Sequence, residues 1–410
     1  MAENEEDIKR KLSWRRILVP VLIGLIAAGG LLWWNLTKPT YIPAPAGERG
    51  THTWIDANEN GVPDSSDPKE FVEDASGQYI ETHAGELLSN YEWPDDAFLA
   101  LSLALLMVVL RDVGYIYRIR LLTDKLLSWR QSFDVIMLWE FASALTPSVV
   151  GGSGVAIFVV HREGINLGRS TATIFVTAMM DEIFYIIMVP LIFVVIGGDR
   201  LFPTEGLFNV VTPTMLRSLF YVGYGFIVLL TTVILLGVFF FPLKTKLFLV
   251  KIFSFGFLRR WQRHVVKLGD EIILSAKHFR GKDLIFWLKA FVSTMVSWTA
   301  RFLTLNFIFL AFTSGFDQWE VYGRQLVMWV IMLISVTPGS SGVAELLLPA
   351  FFNHLPWDHA ALAPILLVLV AIIWRLMTYF PYLFVGAGIL PGWLRRTSKK
   401  ARRKTLEQAT

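Results

Sequence analysis

Apolar residues dominate six long runs along the chain: 17–34, 97–117, 170–196, 218–241, 284–312 and 360–387. Each is near or above the roughly 20 residues that a helix needs to cross a hydrocarbon core of about 30 Å. Two more apolar stretches, 133–161 and 325–353, are different, because loop-forming residues interrupt them. The first reads "LTPSVVGGSGVA" from Leu145 to Ala156, and the second "VTPGSSGVA" from Val336 to Ala344. Irregular backbone at membrane depth is tolerated only when it is buried in protein or lines a wet cavity. Past the first interruption, Gly154 to Val160 would climb only about 10 Å as a helix. That reaches the bilayer middle and no further. The pattern predicts an all-α polytopic membrane protein with six transmembrane helices plus two re-entrant hairpins.

Composition agrees: 54% of the 410 residues are hydrophobic, and the mean hydropathy is +0.51. Cysteine is absent, which excludes disulfides, thiolate zinc sites and cysteine nucleophiles. Charge then sets direction. Residues 41–96 hold 13 acidic side chains against Arg49 and Lys69. Lys and Arg gather instead at 1–16, in the 111–130 segment (Arg111, Arg118, Arg120, Lys125, Arg130), at 243–282 (ten) and at 395–404 (seven). Cations stay on the cytoplasmic side in short loops, so both termini are expected inside and the acidic insert outside. The first run is expected to be an uncleaved anchor, since "LLWWNL" at its end suits a membrane interface better than a cleavage site. The expected organisation is a basic N-terminus (1–16), an anchor (17–34) and an extracytoplasmic insert (35–96). A first membrane repeat (97–241, hairpin 133–161) and a cytoplasmic linker (242–283) come next. A second repeat (284–392, hairpin 325–353) and a basic tail (393–410) complete the chain.

The two interruptions match. Thr146-Pro147 and Ser153-Gly154-Val155-Ala156 correspond to Thr337-Pro338 and Ser341-Gly342-Val343-Ala344. A crossing precedes and follows each, and the charge pattern places the hairpins on opposite faces. This is an inverted-topology repeat, and transporters built that way hold their substrate near the midplane where broken helices meet. A Pro-Gly-Ser turn leaves backbone N–H groups unpaired, and the helix starting after it favours anions. The tip residues Pro147, Ser148, Gly151, Gly152, Ser153 and Gly154, with Pro338, Gly339, Ser340, Ser341 and Gly342, are therefore candidates to bind an anionic headgroup. A plain kink in two helices is the alternative.

Ionisable residues at membrane depth are costly unless paired and mark functional sites. Asp181, Glu182, Arg301, Glu345 and Arg375 lie deep in their runs, as does Glu140 in the first hairpin. Asp181 or Glu182 is a candidate proton carrier, and Arg301 or Arg375 a candidate phosphate ligand. Mutual salt bridges that lock the bundle are the competing reading. Arg111 and Asp112 are expected to snorkel at the interface.

Two segments outside the bilayer carry patterns of their own. In "FLRRWQRHVVKLGDEIILSAKHF", Leu258, Trp261, Val265, Leu268, Ile272 and Phe279 share one helical face. Its basic remainder fits a helix lying on the anionic inner leaflet, not a nucleic-acid surface. In "DANENGVPDSSD", Asp56, Asn58, Asn60, Val62, Asp64 and Asp67 take positions 1, 3, 5, 7, 9 and 12 of a calcium loop, with Gly61 at the turn. A metal-free Asn/Asp/Gly turn is the alternative. The loop resembles those of dockerins and thrombospondin type 3 repeats.

"LTPSVVGGSGVAIFVVHREGINLGRSTATIFVTAMMDEIF" and "VTPGSSGVAELLLPAFF…IIWRLMTYFPYLFVG" resemble the membrane part of lysylphosphatidylglycerol synthases, shared with stand-alone flippase-like proteins. The resemblance spans about 97–392 and places Pro147, Gly151, Gly152, Gly154, Asp181, Pro338, Gly342, Glu345 and Arg375 in its motif regions. Ile157 stands where the second repeat has Glu345. In two-domain synthases this region moves lipid, and a separate soluble domain transfers the amino acid. Here 18 residues follow position 392, so the resemblance implies lipid movement without aminoacyl transfer, and no enzyme activity. The expectation is a flippase-like transporter of an anionic phospholipid or polyprenyl-phosphate lipid in the plasma (inner) membrane. The alternatives are a proton- or ion-coupled carrier of a small solute, or a structural partner in an envelope assembly, docking through 41–96.

Overall fold

The computed structural model describes residues 29–407, apart from 31, 32, 35, 46, 47, 58–62, 64, 66, 90, 147, 148, 205–210, 334–336, 338, 339, 341, 358, 359 and most of 257–280; before residue 29 it describes only Leu22 and Ile26. Most of the anchor run and most of the amphipathic linker helix therefore lie outside the described residues. Phe279, from that helix, is buried.

The insert is not helical throughout. Strands β1 (Pro39–Pro43), β2 (His52–Trp54), β3 (Phe71–Glu73) and β4 (Tyr79–His83) form an antiparallel sheet in the order β1-β4-β2-β3. Tyr41 stacks on Phe71 with ring centres 4.3 Å apart, and the Trp54 indole donates to the fully buried Glu70 at 3.1 Å. The short helix α1 (Ala84–Ser89) leads back to the membrane part. There Tyr91 donates to the Phe312 carbonyl at 3.0 Å, and Leu87 and Leu88 pack into the main core.

Helices α2 (Ala97–Leu122), α3 (Trp129–Leu145), α4 (Val149–Arg162), α5 (Leu167–Ile196), α6 (Pro213–Leu235) and α7 (Pro242–Ile252) follow. After the linker come α8 (Leu284–Leu310), α9 (Gln318–Met332), α10 (Val343–Phe352), α11 (Ala363–Thr378) and α12 (Phe380–Glu407). Their starts are written in the sequence. Ser128 and Gln131 form a reciprocal capping box, Asn166 caps the Arg169 N–H at 2.8 Å, and Asp283 caps the Phe286 N–H at 3.0 Å. Each satisfies a donor that the helix itself leaves open. Helices α2, α5, α6 and the combined α11–α12 segment are long and apolar enough to cross a membrane. Helix α8 has 27 residues, about 40 Å, but buries polar Ser293, Thr294, Ser297, Thr304 and Asn306.

Helices α2 and α8 run antiparallel side by side. The Ser297 hydroxyl donates to the Arg111 carbonyl at 3.0 Å. A Cβ on Gly114 would stand 2.2 Å from that same hydroxyl oxygen, so only glycine lets the two backbones come this close. A long helix, two shorter helices and a long helix thus follow one another twice among the described residues.

Several boundaries differ from expectation. The "GGSG" stretch is not loop: Gly151, Gly152, Ser153 and Gly154 lie in the first turns of α4. A Cβ on Gly152 would come within 2.0 Å of the Ser143 hydroxyl, so the glycine serves close packing of the hairpin arms. The returning arm has 14 residues, about 21 Å, twice the expected reach and still short of a hydrocarbon core. The second hairpin starts earlier than 325, because Asp317 caps α9 and makes Gln318–Arg324 helical. The run expected at 360–387 is two helices. They part at Tyr379 (φ −126°, ψ −59°), two residues before Pro381, whose ring and missing N–H disrupt the preceding turn. The tail expected beyond 392 is helical to Glu407.

Candidate functional site

A cavity of about 290 Å³ lies where the hairpins meet. Thr146 and Ser153 come from the first hairpin, Thr337 and Ser340 from the second, and all four line it. The two tips therefore share one chamber. Its walls use one face of each helix. Arg111, Tyr115 and Arg118 of α2 fall at i, i+4 and i+7, and Ala178, Asp181, Glu182 and Tyr185 of α5 repeat that spacing. Trp298, Arg301 and Thr304 of α8 follow at i, i+3 and i+6. Such positions share one stripe of a helix.

Four arginines line the chamber, and they are not equivalent. Arg118 is 3% exposed and grips Asp181 with both ends of its fork, at 2.6 and 3.2 Å. Thr294 accepts from Arg118 at 2.8 Å, and the Trp298 indole donates to Asp181 at 2.8 Å. Arg111 donates to Glu140 and to the Tyr382 hydroxyl; Tyr382 in turn donates to Asp112 at 2.9 Å. Arg375 donates to Glu345 at 2.9 Å and to the Ser340 carbonyl at 3.1 Å. Arg301 is held more loosely. Its guanidinium sits over Trp298 at 4.6 Å and Trp329 at 5.0 Å, and its nearest carboxylate, Glu140, is 3.6 Å away. Paired and stacked in this way, charges become affordable at membrane depth.

These contacts correct three expectations. Arg111 does not snorkel at an interface; it is 3% exposed inside the bundle. Arg118 is not in a cytoplasmic loop, because α2 runs on to Leu122 and turns it into the chamber. The second tip does not offer a free helix N-terminus. Gly342, at φ +85°, starts α10, and its N–H donates to Glu345 of the same helix at 2.8 Å. Glu345 already occupies the place of an anion there.

Of the other tip residues, Ser153 and Ser340 line the chamber, while Gly154 is exposed, and a Cβ added to it would meet nothing within 4 Å. Pro147, Ser148, Pro338, Gly339 and Ser341 lie outside the described residues, as do Asn58, Asn60, Val62 and Asp64 of the calcium-like loop. At that loop's end, Asp67 accepts from the Lys69 N–H at 3.0 Å and caps a turn of 3-10 helix. Asp56 comes two residues after the end of β2.

Long apolar helices around a shared chamber lined by charged, aromatic and apolar side chains define a polytopic membrane protein. The chain belongs to the family described as the lysylphosphatidylglycerol synthase TM region, whose model matches residues 85–386. A UPF0104 membrane protein of Archaeoglobus fulgidus is similar, with 25% identity over 304 residues, covering 71% of this chain and 85% of that protein. The chain is accordingly embedded in a membrane.

Proposed function

We propose that this chain moves the headgroup of an anionic phospholipid or a polyprenyl-phosphate lipid between leaflets. The headgroup passes through the chamber while the tails stay in the bilayer. The observation that carries this reading is one cavity lined by both hairpin tips and by Arg111, Arg118, Arg301 and Arg375. Cations beside aromatic rings suit a phosphate with an apolar tail. The apolar outer faces support the same reading: Val194, Val222 and Phe226 are 85%, 70% and 62% exposed, as lipid-facing side chains should be. In this scheme the hairpins enter from opposite faces of the plasma membrane, both termini are cytoplasmic, and the sheet-containing insert is outside. The loop Asp56–Asp67 holds calcium as a structural ion.

The test uses the full chain in vesicles carrying short-chain fluorescent phosphatidylglycerol, with dithionite to quench the outer leaflet. Quenching should pass the half of the signal accessible in protein-free vesicles. Ser153→Trp, which fills the chamber, should abolish the excess. Protein-free behaviour with phosphatidylglycerol, phosphatidic acid and undecaprenyl phosphate alike would refute the proposal.

A further inference from the structure

The carboxylates in and behind the chamber divide sharply. Asp181 is held by Arg118 and Trp298. Glu140 is held by Arg111, with Arg301 at 3.6 Å. Asp112 accepts from Tyr382, and Glu345 from Arg375 and the Gly342 N–H. Glu182 is the exception. It lines the chamber, its Oε2 is shut off from solvent, and that oxygen has no hydrogen-bond partner. Among the described residues no cation lies within ion-pair distance of it. Buried polar groups are satisfied in the great majority of cases, so an orphan in a cavity wall calls for a function.

We infer that Glu182 is a proton site, loaded when an anionic headgroup enters the chamber and emptied when it leaves. This rests on the reading of the chamber as an anion site. The groups around Glu182 explain the coupling. On its own helix stand Asp181 and, one turn on, Tyr185. Across from them α2 presents Tyr115 and Arg118, and α8 presents Trp298 and Arg301; Arg111, Glu140 and Arg375 complete the charged lining. Among the described residues, four arginines face three lining carboxylates, Glu140, Asp181 and Glu182. With Glu182 ionised the lining carries +1 by that count; with a proton on Glu182 it carries +2. A phosphodiester entering the ionised chamber would add its charge beside the adjoining carboxylates of Asp181 and Glu182. Taking up one proton from water on a Glu182 oxygen removes that repulsion, and no other bond is made or broken. By linkage, whatever favours the proton then favours the anion to the same degree. Asp181, by contrast, already has its partners in Arg118 and Trp298.

Isothermal titration calorimetry on the purified full chain tests this, with dihexanoyl phosphatidylglycerol as the probe because its phosphodiester does not titrate near neutral pH. Running the titration in two buffers of different ionisation enthalpy at one pH counts the protons taken up. The wild type should take up a proton on binding, and its affinity should weaken towards tenfold per pH unit on the alkaline side, as one linked proton requires. Glu182→Gln should bind without uptake and with affinity independent of pH, while Glu182→Asp keeps both signatures. Thermal unfolding of each variant confirms that the fold is retained. Binding with uptake unchanged in Glu182→Gln, or binding with no uptake in the wild type, would overturn the proton site and leave the anion site standing. Failure of the wild type to bind the probe would overturn the anion site, and the proton site with it.

Discussion

The Arg118–Asp181 pair should prove to be a structural clamp whose partners fail singly and not together. Arg118 is 3% exposed, and the Asp181 side chain keeps 23% of its surface open to the chamber. Removing one member of a buried pair leaves an uncompensated charge and costs about 3–5 kcal/mol. The partial opening of Asp181 puts Asp181→Leu near the lower end, ~3 kcal/mol. Arg118→Leu should cost as much, because it strands Asp181 with only the Trp298 indole at 2.8 Å. Replacing both by leucine removes the stranded charge, and apolar replacement of a buried pair is often close to neutral. The sum of the singles, ~6 kcal/mol, should therefore exceed the double by at least about 3 kcal/mol, the top of the usual range of coupling for touching residues. SDS-driven unfolding in mixed micelles, run as a double-mutant cycle, measures this. Singles that add to the double within about 0.5 kcal/mol would refute the clamp, since that is how independent sites behave.

Three further outcomes are expected. Gly386→Val should destabilise the chain by about 1–3 kcal/mol in the same unfolding assay, because a Cβ there would stand 2.3 Å from the Phe141 Cβ; an unchanged midpoint would mean that α12 does not pack tightly on the first hairpin. Calcium should raise the thermal midpoint of the insert, followed by Trp54 fluorescence, by the equivalent of ~2.7 kcal/mol at a hundredfold excess over Kd; an Asp56→Ala/Asp67→Ala variant should show no shift, and a calcium-blind wild type would remove the metal. The Asp74 carboxyl is held below its ordinary range by the Ser76 N–H, the Ser76 hydroxyl and the Thr53 hydroxyl. Its contribution is full above about pH 4, the unfolded value, and fades as pH falls through the lower folded value; acid titration of the Trp54 signal should show this limb, and Asp74→Asn should flatten it.

Much of the membrane part could be read from hydropathy, because long apolar helices have few alternatives in lipid. The breaks that separate α3 from α4 and α9 from α10 were legible too, because Pro147 and Pro338 stand inside apolar runs. Asp181, Glu182, Arg301 and Arg375 were legible as charges deep in apolar runs, and all four line the cavity. Arg111 and Arg118 were misplaced because a cation near the end of an apolar run reads as cytoplasmic. Their spacing with Tyr115, four and then three residues, was the signal that they share a helix face. The glycines of "GGSG" read as loop because glycine marks loops in isolation, whereas Gly152 is fixed by a packing distance to Ser143 that no local pattern records. The sheet of the insert stayed hidden because β2 and β3 are three residues each, too short for alternation to emerge.

The division of the last helix at Tyr379 has a mechanical consequence. The Tyr379 hydroxyl is tied to the Ala144 carbonyl at 3.1 Å, beside the tip of the first hairpin. A rod jointed at a point pinned to its neighbour cannot flex alone. Any change of angle between α11 and α12 pulls on the first tip, while Arg375, one turn before the joint, holds the second through Ser340. Motion at one hinge therefore reaches both elbows at once.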